Sequence, residues 1–383
     1  MRTIGVVTVG RSDYGIYLAV LRKIQAEPEL RLHLIVSGMH LSPEFGLTVK
    51  AIEADGFPIS ERVEMLLSSD SPEGIAKAIG IGIIGFAQVY SRFPPDILMV
   101  LGDRFEMYAA ALAALPFKIP VAHIHGGELT EGATDDALRH SITKLSHLHF
   151  VAMEEYARRV RQMGEEPWRV TISGAPSLDL IQDMTFLSKE ELESRFGLDL
   201  SCPPILATYH PVTMEYERTE WQTEQVLEAL KRSGLPVVFT LPNSDTAGRV
   251  IARLIQEFVR THARARFVAN LGTQGYFSLM RLAAMMLGNS SSGLIEGLSF
   301  GLPVVNVGSR QRGRVRGENV IDVGYDATEI LKAIERAASP EFKTSLAGVP
   351  NPYGDWHAAE RIVRVLREVS LGDRLLVKRF QDL

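Results

Sequence analysis

The sequence predicts an α/β protein made of two doubly wound domains, one after the other. Three observations carry this. Short β-rich runs alternate with helical stretches along the chain. The strands are continuously apolar, as strands buried on both faces of a parallel sheet must be. The alternation also stops near residues 185–200 and then starts again, and 383 residues exceed one typical core.

The first array opens with the strand "TIGVVTV", a helix near 14–27 and the strand "LHLIVSG". "DILMVLG" leads to a helix near 106–115 and then to "IPVAHIHG". "HLHFVA" and "RVTISG" close this half. In the charged stretch "LSKEELESRFGLDLSCPP", Ser188 reads as an N-cap with Glu191 as its capping-box partner. Pro203 and Pro204 then stop regular structure, which places a boundary there. The second array runs "ILATYH", a helix near 218–233, "PVVFTLPN", a helix near 246–261 and "RFVAN". "AAMMLGN", a helix from Ser291, "PVVNVG" and "NVIDVG" complete it. A single large α/β domain is the alternative.

Composition narrows the function classes. The chain is 46% hydrophobic and 23% charged, an ordinary globular balance. A net charge of −5 and the lack of a polybasic tail argue against nucleic acid. The single cysteine, Cys202, allows no internal disulfide and suits a reducing cytoplasm. "MRTIGVVTVG" reads as a first strand, not a leader. "GIAKAIGIGIIGFAQVY" is short of a bilayer span, so the expectation is a buried helix and no membrane partner.

In doubly wound sheets, ligands sit outside the carboxyl ends of the strands. The chemically loaded segments fall there: "GRSDYG", "GDRFE", "HGGE", "YHPVT", "LPNSD" and "GNSSSG". Six such loops predict a cleft between the two domains.

Two kinds of chemistry stand out. In "LGNSSSGLIEGLSFGLP", small residues precede a helix whose first N–H groups lack partners, a suitable place for an anion. Ser290, Ser291 and Ser292 add hydroxyls, although serines there can equally just cap the helix. Glu296, one turn on, suits vicinal hydroxyls such as those of a ribose. Arg11, Arg104 and Arg310 each follow a strand, and a guanidinium forks onto a diphosphate. The loop "GSRQRGRVRG" holds four arginines in seven residues and reads as a flap over an anionic substrate, or as a solvated charge run. No GxGxxG follows a strand and no GxxxxGK[ST] occurs, which argues against dinucleotide and kinase-type sites.

The other chemistry is acid–base. Five of the ten histidines fall within 27 residues, 123–149. Asp103 ends a strand, Asp135 and Asp136 open a helix, and Arg139 and His140 lie one turn later, placed to pair with them. His210 ends the strand "ILATY". His123 and His125, like His147 and His149, have the H-x-H spacing of a metal-ligand pair. His123 lies between Ala122 and Ile124, where a buried structural histidine fits as well. The reading favours proton transfer and no metal.

Taken together, "GRSDYG", "GDRFE", "HGGELTEGATDDALRHSITKLSHLHF", "HPVT", "LPNSD", "GNSSSGLIE" and "GSRQRGR" resemble the hydrolysing UDP-N-acetylglucosamine 2-epimerases of sialic and legionaminic acid biosynthesis. The resemblance spans about residues 5–320. It implies a glycosyltransferase-B-type fold, α/β with two Rossmann-like doubly wound domains facing a cleft. The expected division is 1–190, 191–365, and a C-terminal helix at 366–383 crossing back to the first domain. The implied reaction removes the C2 proton while UDP leaves C1. The resulting 2-acetamidoglucal takes up water, giving N-acetylmannosamine and UDP. The resemblance implies no cofactor, a cytoplasmic enzyme and a homodimer or homotetramer. It implies nucleotide contacts from Arg11, Arg104, Asn243, Ser290, Ser291, Ser292, Glu296 and Arg310, and catalytic parts for Asp103, Asp135, Asp136 and His210.

One departure matters. Several relatives read His-hydrophobic-Glu at the strand end, where this chain has His123-Ile124-His125, with Glu128 three residues later. Either His125 transfers the proton, or Glu128 reaches in, or the pocket takes another sugar. A UDP- or GDP-2,4-diacetamido-2,4,6-trideoxyglucose is the alternative substrate. A glycosyltransferase, a non-catalytic nucleotide-sugar-binding protein and a metallohydrolase are the rival classes.

Overall fold

A computed structural model of the chain describes residues 1–383 except Gly132, Asn243, Ser244 and Leu383. The chain forms two compact units, the first from 1–128, 135–182 and 353–383, the second from 129–134 and 183–352.

The first unit begins with β1 (Arg2–Thr8), α1 (Arg11–Ala26), β2 (Leu30–Ser37), α2 (Val49–Ala54) and β3 (Ile59–Val63). It continues with α3 (Pro72–Arg92), β4 (Ile97–Leu101), α4 (Phe105–Ala114), β5 (Val121–Ile124) and α5 (Asp135–Leu145). β6 (Leu148–Val151), α6 (Glu154–Gln162), β7 (Val170–Ile172) and α7 (Pro176–Asp183) follow. The strands pair in parallel in the order β3-β2-β1-β4-β5-β6-β7. β4, β5 and β6 are buried along their whole length; β4 is an unbroken apolar run, and β5 and β6 each carry one buried histidine, His123 and His149. β3, "ISERV", was not anticipated. It is an edge strand carrying Glu61 and Arg62, so it lacks that apolar run.

The second unit opens with α8 (Lys189–Phe196), where Ser188 and Glu191 form the expected capping box. β8 (Ile205–Thr208), α9 (Thr219–Ser233), β9 (Val237–Thr240), α10 (Gly248–Thr261) and β10 (Ala265–Val268) come next. α11 (Gly272–Leu282), β11 (Met285–Gly288), α12 (Ser291–Ile295), β12 (Val304–Val307) and β13 (Val320–Val323) complete the sheet, with α13 (Ala327–Ala338) and α14 (Pro340–Ser345) after it. The order is β10-β9-β8-β11-β12-β13, all parallel. Both sheets therefore reverse direction beside their first strand, at β1/β4 and at β8/β11. Such a switch point opens a crevice at the strand ends.

The domain limits differ from those the sequence suggested. The break falls after 182, not 190, and the chain rejoins the first unit at 353, not 366. The reason is local. Asp179 in α7 accepts hydrogen bonds from the backbone N–H groups of Ala358 and Ala359, at 3.0 and 2.7 Å, and so caps α15 (Ala358–Glu368). Only a short α16 (Asp373–Leu376) follows, so 366–383 is not one helix. The tail is held by buried Arg169, which donates to the carbonyls of Arg374, Leu375 and Val377, and by Lys378, 2.8 Å from Glu165.

α3 is not wholly buried. By length and composition it could cross a bilayer. It packs on α4 through a face that includes Ala78, Gly82 and Phe86, and leaves Ile81 and Ile84 exposed.

Candidate active site

In the first unit, the loops at the β1/β4 switch point are set by buried charge. Asp13, one turn into α1, accepts from the Val9 N–H (2.9 Å) and the Thr8 hydroxyl (2.6 Å). Thr8 also meets His40, whose other ring nitrogen reaches Thr48. Burial pushes the Asp13 carboxyl up to about 6 and His40 down to about 3. Arg11 lies at the start of α1, partly buried. Arg104 is gripped in a fork by Glu106, at 3.1 and 3.0 Å. Glu106 is fully buried, and sequence reasoning did not single it out.

The five clustered histidines take separate parts. His123 is wholly buried, with Nε2 donating to the Gly102 carbonyl (2.7 Å) and Nδ1 3.2 Å from the Thr143 hydroxyl. Burial drives it down to about 3, which makes it a neutral structural residue. His147 accepts from the Val121 N–H through Nδ1. His149 contacts Glu165 at 3.1 Å. Burial opposes ionisation of Glu165, yet His149, Lys144 and Lys378 together hold it down at about 2. His140 sits 3.4 Å from Asp136 on α5, as the spacing predicts. Among the described residues, no group of three His, Cys, Asp or Glu side chains is placed to hold a metal ion.

His125 differs from the rest. It follows the end of β5 with φ +63, a left-handed conformation that costs a non-glycine residue about 1–2 kcal/mol. H-x-H alternation therefore does not carry over to it. Its N–H donates to the Phe150 carbonyl (3.0 Å), and its own carbonyl accepts from Arg139 (2.8 Å). Its ring lies 2.5 Å from Glu128, Nδ1 to Oε1. Arg139 is nearly fully buried and also pairs with Asp103, with Glu128 Oε2 3.9 Å away. Arg139 thus joins the ends of β4 and β5, beyond the pairing with α5 acids that spacing suggested. Asp103, His125, Glu128 and Arg139 form one cluster. Asp135 is buried at the first position of α5 and Asp136 is partly exposed beside it.

In the second unit, the site is built around Asn289, which sequence reasoning passed over in favour of the serines that follow it. Its side chain accepts from the His210 N–H (2.7 Å) and donates to the His210 carbonyl (2.8 Å). That bidentate clamp ties the loop after β11 to the loop after β8, at the switch point. Gln311 donates to the Asn289 carbonyl (2.7 Å), with Arg310 3.4 Å from the same oxygen and 4.0 Å from Asp245. Gly288 has φ +135, and a Cβ there would lie 2.0 Å from the Thr208 carbonyl. Ser290 caps α12, accepting from the Ser292 N–H. α12 is only 5 residues long, shorter than the expected helix, so its dipole is weak; Ser291 and Ser292 are partly buried and Glu296 is buried at its end.

The arginine-rich loop is a folded structure, not a free flap. Arg314 donates to the Leu129 carbonyl, Arg316 pairs with Asp322 at 2.5 Å, and the Arg312 carbonyl accepts from Glu131. Asn243 lies outside the described residues.

Comparison with known proteins sets this geometry in a family. The family model described as UDP-N-acetylglucosamine 2-epimerase matches residues 22–367. The chain belongs to the UDP-N-acetylglucosamine 2-epimerase family. It is 38% identical to the GDP/UDP-N,N'-diacetylbacillosamine 2-epimerase (hydrolyzing) of Campylobacter jejuni, over 100% of this chain and 99% of that one. It is 39% identical to the UDP-N,N'-diacetylbacillosamine 2-epimerase (hydrolyzing) of Legionella pneumophila, over 99% of each. Its fold is similar to that of S. aureus MnaA, solved with UDP, at TM-score 0.81, 18% identity and 96% coverage of both chains.

Proposed function

We propose that this member of the epimerase family hydrolyses a nucleotide-activated 2-acetamido sugar and inverts C2, and that the sugar is N,N'-diacetylbacillosamine. The sequence reading put UDP-N-acetylglucosamine first and this sugar second. The two full-length relatives named above reverse that order. N,N'-diacetylbacillosamine is the 2,4-diacetamido-2,4,6-trideoxyglucose weighed there.

The observation that carries the reaction is the cluster of Asp103, His125 and Glu128 around Arg139. Inverting C2 takes a base for the departing proton and an acid for the returning one, on opposite faces of the sugar. This cluster, with Asp135 and Asp136, supplies such groups. Anion stabilisation at the leaving diphosphate belongs in this reading to His210, Ser290, Ser291, Ser292 and Arg310, with Arg11 and Asn243 as further nucleotide contacts and Glu296 for the ribose. Arg104, gripped by Glu106, is given the part of ordering its loop.

NMR in deuterated water tests the proposal. UDP-N,N'-diacetylbacillosamine should yield free UDP and a 2-epimerised sugar deuterated at C2, faster than UDP-N-acetylglucosamine does. Faster turnover of UDP-N-acetylglucosamine would overturn the substrate choice. Epimerisation without release of UDP would overturn hydrolysis. The GDP sugar run in parallel ranks the two nucleotides.

A further inference from the structure

We propose that His125 is the base that takes the proton from C2, and that Glu128 acts through it as a positioning residue. The inference rests on the reaction proposed above and names the group that performs one of its two proton transfers.

His125 is only 4% exposed, and its Nε2 has no hydrogen-bond partner among the described residues. A buried polar atom without a partner is costly, and core histidines avoid it. His40 and His123 show the ordinary solution, with both ring nitrogens engaged. His33, His140 and His149 also leave one ring nitrogen unpaired, but each sits in a regular strand or helix. His125 combines the unpaired nitrogen with a strained backbone that is pinned from both sides. Strain held in place this way gathers at functional sites.

Glu128 fixes which nitrogen is available. Its Oε1 accepts from Nδ1–H at 2.5 Å, which sets the tautomer and leaves the lone pair on Nε2. Glu128 is itself buried, with its other oxygen toward Arg139, so it is placed to orient the ring. Arg139 reaches both the His125 carbonyl and Asp103, so the backbone of His125 and the Asp103 carboxylate are held by one side chain.

The step balances. Nε2 takes the proton from C2. The C2–H electron pair becomes the second bond of C1=C2. The C1–O pair leaves with the diphosphate. The carboxylate of Glu128 stabilises the imidazolium, which then loses its proton to solvent. The C1=C2 pair then takes a proton at C2 from a group other than His125 on the opposite face, water's oxygen bonds to C1, and the proton that water sheds restores that group.

The test compares wild type, His125→Ala, His125→Asn and Glu128→Gln on the nucleotide sugar that wild type turns over best. Circular dichroism and Tm report on folding, and calorimetry with UDP reports on the nucleotide site. His125→Ala should lose roughly 10³-fold in kcat, keep its UDP affinity and recover in part with added imidazole. His125→Asn tolerates the left-handed backbone, so its loss of activity cannot be put down to misfolding. Glu128→Gln should lose roughly 10²-fold in kcat with KM and UDP affinity little changed, because the amide no longer fixes the ring's tautomer and orientation. Retention of most activity by His125→Ala, or an unchanged kcat in Glu128→Gln, overturns the proposal. If wild type releases UDP from no nucleotide sugar, the proposed function fails first, and that result is separate from any variant.

Discussion

Replacing Asn289 with leucine removes both halves of the clamp on His210 while keeping close to the same volume. The His210 N–H and carbonyl then lose partners that lie at 2.7 and 2.8 Å, in a residue only 6% exposed. Each buried backbone group left unpaired costs about 1–3 kcal/mol, so the pair costs roughly 2–6 kcal/mol. For a domain of this size, that corresponds to a fall in Tm of roughly 4–24 °C in calorimetry. Asn289→Asp refines the test. One carboxylate oxygen still accepts from the His210 N–H, but the other faces a carbonyl with no proton to donate. Protonating the carboxyl restores that donor. The Asp variant should therefore melt well below wild type at pH 8 and recover toward it at pH 5. A leucine variant that melts within a degree or two of wild type, or an aspartate deficit independent of pH, would refute the clamp.

Other expected outcomes follow from the same structure. Gly288→Ala sets a Cβ against the Thr208 carbonyl and should abolish soluble folded protein, as judged by gel filtration and circular dichroism. Arg139→Met leaves Asp103 and the His125 carbonyl without their shared donor. It should cut kcat by about 10²-fold or more while UDP affinity holds, and an equal loss of UDP affinity would refute a local role. Arg169→Met frees three tail carbonyls, so trypsin should cut after Arg374 and Lys378 sooner than in wild type. Burial depresses His40, His123 and His147 to about 3, 3 and 4, so the stability their neutral forms provide is full above pH 6.5. It falls as pH drops below that, by up to ~1.4 kcal/mol per pH unit for each histidine. Asp13, raised to about 6, works in the opposite sense between about 4 and 6, so Asp13→Asn should make the decline in Tm steeper.

The sequence by itself determined the architecture. Buried parallel strands are mostly apolar, so β1, β4 and β5 were visible from their composition, and the restart after Pro203-Pro204 marked a second array. It also pointed to candidate acid–base residues just past strand ends, where Asp103, His125 and His210 are found. It could not show β3, because an edge strand carries charge and loses the apolar pattern. It could not sort the five histidines, because spacing is the same for a ligand, a core residue and a base. Their roles depend on what lies across the fold from them: Gly102 and Thr143 for His123, Val121 for His147, Glu165 for His149, Asp136 for His140, and Glu128 with a left-handed backbone for His125. Asn289 and Glu106 went unread for the same reason. Their work is to bond groups that folding brings near, and sequence order says nothing about which groups those are.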